Sequence, residues 1–150
     1  MKKFRFALDP VLEYKQKMLD SLQTEHQALL GKVYTQEQTV ASVKHQYDQI
    51  NLEYRGKKAV GMLVAEAMSY EMGLKVLEKQ ILLETQRLAT LRRQAEEKLA
   101  ELVAAKQDTT SIEKLRDKQL GCYQAELQKS QERFIDDLVC ARGGGRRSTL

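Results

Sequence analysis

Residues 10–54, "PVLEYKQKMLDSLQTEHQALLGKVYTQEQTVASVKHQYDQINLEY", decide the fold, because apolar side chains recur through them with one period. Stepping from Leu12 by alternating three and four residues reaches Leu12, Lys15, Leu19, Leu22, His26, Leu29, Val33, Gln36, Val40, Val43, Tyr47, Ile50 and Tyr54. Ten of these thirteen are apolar or tyrosine, and the residues between them are mostly Gln, Glu, Lys, Thr and Ser. A period of about 3.5 residues kept through about six heptads is a coiled-coil seam, not the broad apolar face of a helix on a globular core. A first helix is therefore expected over about 10–55. Its start is marked by the chain's one proline, Pro10, which lacks an N–H and holds φ near the helical value. Asp9 before it is the expected N-cap, since its carboxylate suits open amides and the positive end of the helix dipole.

Glycines punctuate the next segment of the chain. Gly56, Gly61 and Gly73 fall in "RGKKAVGMLVAEAMSYEMGL", and the chain is expected to reverse within about 56–73. Residues 62–72 read either as the start of the next long helix or, the preferred reading, as a short separate helix with a break near Gly73. A second seam then runs through Leu74, Leu77, Ile81, Glu84, Leu88, Leu91, Ala95, Lys98, Leu102, Ala105, Thr109 and Ile112, nine of these twelve being apolar. Beyond Ile112 an extra four-residue step through Arg116 restores the pattern at Leu120, Tyr123, Leu127, Ser130, Phe134 and either Asp137 or Leu138. Such a stutter unwinds a supercoil locally without ending the helix. The second helix is expected over about 74–141, and "GGGRRSTL", 143–150, as a flexible basic tail.

Two seams joined by a short link make the chain all-α, a single antiparallel coiled-coil hairpin over 1–142 in which each helix covers the stripe of the other. The second helix is longer, so part of 112–140 is expected to project past the first with Leu127, Phe134, Ile135 and Leu138 still in want of a partner. Composition agrees with a helical unit lacking a broad core: 6% aromatic, no tryptophan and 31% charged. Of the net charge of +4, Lys2, Lys3, Arg5, Arg142, Arg146 and Arg147 contribute six positive charges, which leaves −2 for everything between.

Several function classes find no support. His26 and His45 are nineteen residues apart along one helix, too far to share a metal or a substrate, and neither Cys122 nor Cys140 sits in a CxxC pair or beside a histidine. The two cysteines, eighteen residues apart in one helical pattern, cannot bridge within it, and free thiols fit a reducing compartment. The run Gly143 to Gly145 lacks the Lys-Ser/Thr and helix of a phosphate loop. No catalytic residue, cofactor, metal or small-molecule substrate is therefore expected. The opening "MKKFRFALDP" has no apolar stretch after its charges, and "AVGMLVA" at 59–65 falls far short of a membrane span, so a cytoplasmic protein is expected. A nucleic-acid-associated or scaffold coiled coil using the basic termini is the alternative. Six terminal charges without aromatic stacking residues or a reading motif make a weak nucleic-acid footprint.

The chain resembles the FliJ family of flagellar type III export proteins. The likeness rests on "KKFRFALDPVLEYKQKML" at 2–19, "EYRG" at 53–56, "LEKQI" at 77–81 and "ERFIDDLVCAR" at 132–142, in that order and spacing. It implies a hairpin similar to the central stalk of rotary ATPases. As partners it implies the hexameric flagellar export ATPase, the membrane export gate protein and export chaperones, at the flagellar base and peripheral to the membrane. Lys2, Lys3, Arg5, Arg133 and Arg142 are the residues expected to meet the ATPase. The family pattern for the gate falls on Tyr47, Ile50, Tyr54, Leu77 and Gln80, while Gly73 and Glu84 stand where an aromatic and an imidazole are expected.

Overall fold

The structure, a computed structural model, describes residues 2–147, with side chains as far as residue 143. Two α-helices account for nearly all of it: α1 (Asp9–Val60) and α2 (Val64–Arg147), packed against each other, with no strand among the described residues. By internal packing the chain divides into two compact units, Asp20–Val103 and Met1–Leu19 with Ala104–Leu150.

The unit Asp20–Val103 is an antiparallel helical hairpin. Every position read as its seam is buried or half-buried, from Leu22 to Tyr54 on α1 and from Leu74 to Leu102 on α2. Val40, Val43, Tyr54, Leu74, Leu88 and Ala95 are its most buried apolar residues. A stripe two positions wide per heptad fills the space between two helices and no more, which is why so few residues here are fully enclosed.

The reversal is tighter than the sequence suggests. It occupies only residues 61–63, and α2 begins at Val64, so there is no separate helix over 62–72. Gly61 has φ of 106°, the one positive φ among the described residues, and its amide donates to the Lys57 carbonyl at 2.9 Å. That is a left-handed cap closing α1, and only glycine takes it without steric cost. Gly56 and Gly73, by contrast, lie inside helices. A mid-helix glycine costs about 1 kcal/mol relative to alanine, and half-buried Ala67 and Tyr70 with buried Leu74 extend the second seam across Gly73.

The other unit pairs the start of α1 with α2 from Ala104 onward. Phe6, Leu12, Leu19 and Thr109 are buried, and Ile112, Arg116, Leu120, Tyr123 and Leu127 are half-buried, which is the four-residue stutter seen in burial. Asp9 is not the N-cap. The Leu12 amide donates to the Leu8 carbonyl at 2.8 Å, so Leu8 opens the helix, Asp9 is its first residue and Pro10 its second. α2 continues past Cys140 and through Gly143 to Gly145 as far as Arg147, where a flexible tail was expected from 143; helical hydrogen bonding needs no side chain, and glycine lowers helix propensity without preventing it. Residues 148–150 of that expected tail lie outside the described residues.

Candidate interaction site

Two groups of side chains outside the seams are candidates, one in each unit. The first lies where the N-terminal strip, residues 2–8, folds onto α2. The Tyr123 hydroxyl donates to the Lys2 carbonyl at 2.7 Å, and the Phe4 and Tyr123 rings meet with centroids 5.6 Å apart. Arg116 ties the strip to the helix start: its Nε donates to Asp9 Oδ1 at 3.3 Å and its guanidinium lies over the Phe4 ring at 6.0 Å. Phe6, between them in sequence, is buried. The strip therefore covers α2 about as far as Tyr123, and the unpaired part of α2, expected within 112–140, begins beyond Leu127, which is itself half-buried rather than without a partner.

From residue 128 to 143 every side chain of α2 is exposed, including Phe134, Ile135, Leu138 and Val139. Leu127, Ser130, Gln131, Phe134 and Ile135 line a shallow groove on this segment. Lys2, Lys3 and Arg5 are exposed on the strip, and Arg133 and Arg142 are exposed on α2. Ten residues of helix separate Tyr123 from Arg133, roughly 15 Å at about 1.5 Å per residue. The five basic residues are thus distributed along this segment and do not converge on one point.

The second group lies near the turn. Tyr54 is buried, stacks on Tyr70 with centroids 5.4 Å apart and donates to Glu71 at 3.3 Å. Tyr70 donates to Glu53 at 3.1 Å, and Glu53 also faces Lys57 at 3.6 Å. The Lys57 and Lys58 ammonium groups lie 5.3 and 5.4 Å from the Tyr70 and Tyr54 ring centroids. Contact with Tyr70, then the charge of Glu53, holds the Lys57 ammonium above its ordinary pKa. Tyr47 donates to Glu78 at 3.1 Å, and that hydrogen bond, more than partial desolvation, raises the phenol above its usual range.

The residues assigned to the gate therefore separate by environment. Ile50 and Leu77 are half-buried in the seam, Tyr47 and Tyr54 have engaged hydroxyls, and Gln80 is exposed. Tyr70, Glu71 and Glu53 were not anticipated from sequence. One signal would have found Tyr70: it lies four residues before Leu74, so the second seam extended backward lands on it.

Within the seam several polar residues are matched across the helices. Gln36 donates to the Glu84 carbonyl at 3.0 Å and to its carboxylate, which also receives Arg87 at 3.0 Å. Lys98 faces Glu25 at 2.9 Å and Glu101 at 3.1 Å, and these two contacts, Glu25 first, raise its pKa. No buried side-chain polar atom among the described residues lacks a partner. Such groups set the register between helices, because a shift along the seam would strand a charge. Among the described residues no three His, Cys, Asp or Glu side chains converge as a metal site, and no helix is long and apolar enough to cross a membrane. Cys122 and Cys140 are free and exposed. What the arrangement offers is surface for docking, built from apolar, aromatic and charged side chains on long helices.

Compared with known proteins, the chain matches the family model described as "Flagellar FliJ protein" over residues 4–148. No curated protein and no solved structure matches it.

Proposed function

The chain belongs to the flagellar FliJ family, and from that premise we propose that it binds the hexameric export ATPase as a central-stalk-like subunit and couples it to the membrane export gate. Membership itself gives the protein a role in flagellar protein export, in a family of non-catalytic components. The single observation that carries the finer reading is the exposed end of α2. Phe134, Ile135, Leu138 and Val139 stand uncovered there, in the unit that also carries Lys2, Lys3, Arg5, Arg133 and Arg142. An apolar helix face with basic flanks suits insertion into a ring, where desolvated apolar contact supplies affinity and charges orient the helix. The gate contact belongs to the near-turn region, with exposed Gln80 as its free polar group and Tyr47, Ile50, Tyr54 and Leu77 shaping the surface around it. Export chaperones are further partners, and the working place is the cytoplasmic side of the flagellar base, peripheral to the membrane.

The test is co-purification with the export ATPase together with an assay of its assembly and turnover. The wild-type chain should bind the hexamer and change its turnover, and Phe134→Asp with Ile135→Asp should abolish both while leaving helicity intact. A wild-type chain that neither binds nor changes the ATPase ends the stalk reading.

A further inference from the structure

The turn joining α1 to α2 is made of the wrong residues for a connection that only has to reverse the chain. Turns are ordinarily polar, because their backbone groups face water and Asn, Asp, Ser, Gly or Pro shape them. Here residues 59–65 read "AVGMLVA", the longest stretch of the chain without a polar side chain. Gly61 closes α1 at the reversal, through its positive φ. Met62 beside it is half-buried, but the other large apolar residues of the run are not core: Val60 is 90% exposed, Leu63 71% and Val64 76%, and Met68, one turn along α2, is also exposed. A run of exposed apolar side chains at a chain reversal lowers solubility unless something covers it.

The residues before the run are mostly basic. Arg55, Lys57 and Lys58 occupy the end of α1 and are exposed. The two lysines are held over the Tyr70 and Tyr54 rings, which keeps their ammonium groups just behind the apolar tip. Three carboxylates accompany them, Glu53, Glu66 and Glu71; Glu53 is already engaged by Lys57 and Tyr70, and Glu71 by Tyr54. A cationic collar behind an apolar point matches the layered chemistry of an anionic lipid surface, phosphate outside and hydrocarbon within.

We propose that this turn is a membrane-surface contact, in which Val60, Leu63 and Val64 enter the interface of a bilayer containing anionic lipid and Arg55, Lys57 and Lys58 meet lipid phosphates. A second copy of the chain is a poorer occupant, since tip-to-tip contact would set two lysine collars against each other. Three aliphatic side chains per copy also fall far below the roughly 800 Å² per partner of a stable interface. Lipid requires no complementary shape, and lysine stems can lie along the hydrocarbon boundary while their charges remain in water. A contact this small is reversible, as single weak anchors are. It requires neither the ATPase nor the gate, so it stands or falls separately from the stalk reading.

The experiment uses the full chain and vesicles of phosphatidylcholine with about one third phosphatidylglycerol, beside vesicles of phosphatidylcholine alone. The chain has no tryptophan, so Leu63→Trp supplies a single reporter in the turn. Anionic vesicles should shift its emission to the blue and sediment the protein. Val60→Asp with Val64→Asp should lower partitioning about tenfold or more, with helicity unchanged by circular dichroism. Lys57→Gln with Lys58→Gln should remove the preference for anionic vesicles. Absence of any shift or sedimentation overturns the proposal and would make a protein pocket the better occupant. Partitioning that survives the aspartate pair overturns it too, and would move the contact to the basic termini. Either failure leaves co-purification with the ATPase untouched, so the two readings are separable.

Discussion

Within residues 74–102 of α2, Leu74, Leu88 and Ala95 are each less than a tenth exposed, whereas Phe134, Ile135, Leu138 and Val139 farther along the same helix are each at least half exposed. Both stretches carry apolar residues at helical spacing among charged ones. The difference lies opposite them, since the first faces α1 and the second comes after the last residues that the N-terminal strip covers. An apolar repeat states which face a helix can bury, and only a facing element turns that capacity into burial. Where the facing element stops, the same pattern stays exposed.

The strongest way to break this comparison is to remove seam volume. Leu88→Ala should lower stability by about 2–4 kcal/mol, read from chemical denaturation, as expected for a buried large-to-small change. Leu29, half-buried, should lose less on the same substitution. Equal losses at the two sites would mean that burial does not grade the seam. Next comes the polar crossing. Glu84→Ala should cost about 1–3 kcal/mol, because it withdraws the carboxylate from Gln36 and Arg87 in a buried setting. Glu84→Leu combined with Gln36→Leu should recover that loss while weakening register, visible as broadened amide resonances.

Arg116→Ala tests the boundary between the two environments. It removes the contacts to Asp9 and Phe4 and should cost about 0.5–1 kcal/mol, since the pair is partly exposed. Its more telling effect is faster amide exchange at Phe6, which unchanged protection would contradict.

Alkaline titration gives a smaller signal of defined sign. Lys98 gains Glu25 and Glu101 on folding, and its pKa is raised, so its contribution is fully present below the unfolded lysine value and is lost as pH rises through the folded one. Tyr47, also raised, acts in the same direction from the unfolded tyrosine value upward. Melting temperature should therefore fall above about pH 10, and less steeply in Lys98→Met. An identical slope in the variant would remove Lys98 from the account. The smallest expected effect is at the exposed end, where Phe134→Ala should change stability by less than about 0.5 kcal/mol and still weaken ATPase binding.

Much of the fold was legible in the residues because the coiled-coil repeat is local and redundant. Each seam position is supported by neighbours three and four residues away, so polar members such as Lys15, Gln36, Glu84 and Lys98 do not obscure it. The stutter through Arg116 to Leu120 was legible for the same reason. Glycines were less informative, since a glycine lowers helix propensity at Gly56, Gly61 and Gly73 alike, and only packing decides which one becomes the turn. The contacts of the candidate surfaces were hardest to foresee. Phe4 with Tyr123 and Arg116 joins residues far apart in sequence, and no repeat announces such a group, whereas Tyr54 and Tyr70 lie on the two seams only when the second is extended backward past Gly73.

The amino-acid sequence by itself determined that the chain is all-helical, which stripe of each helix is buried and where that stripe changes phase, because these depend on side-chain spacing along one helix. Tertiary structure alone decided that Gly61 ends α1 and that the strip from Lys2 to Phe6 lies along α2. The same level decided that most of the apolar residues at the turn stay in water and that the uncovered part of α2 starts only beyond Leu127. Those outcomes depend on what stands across from a residue, and that is a property of two segments at once.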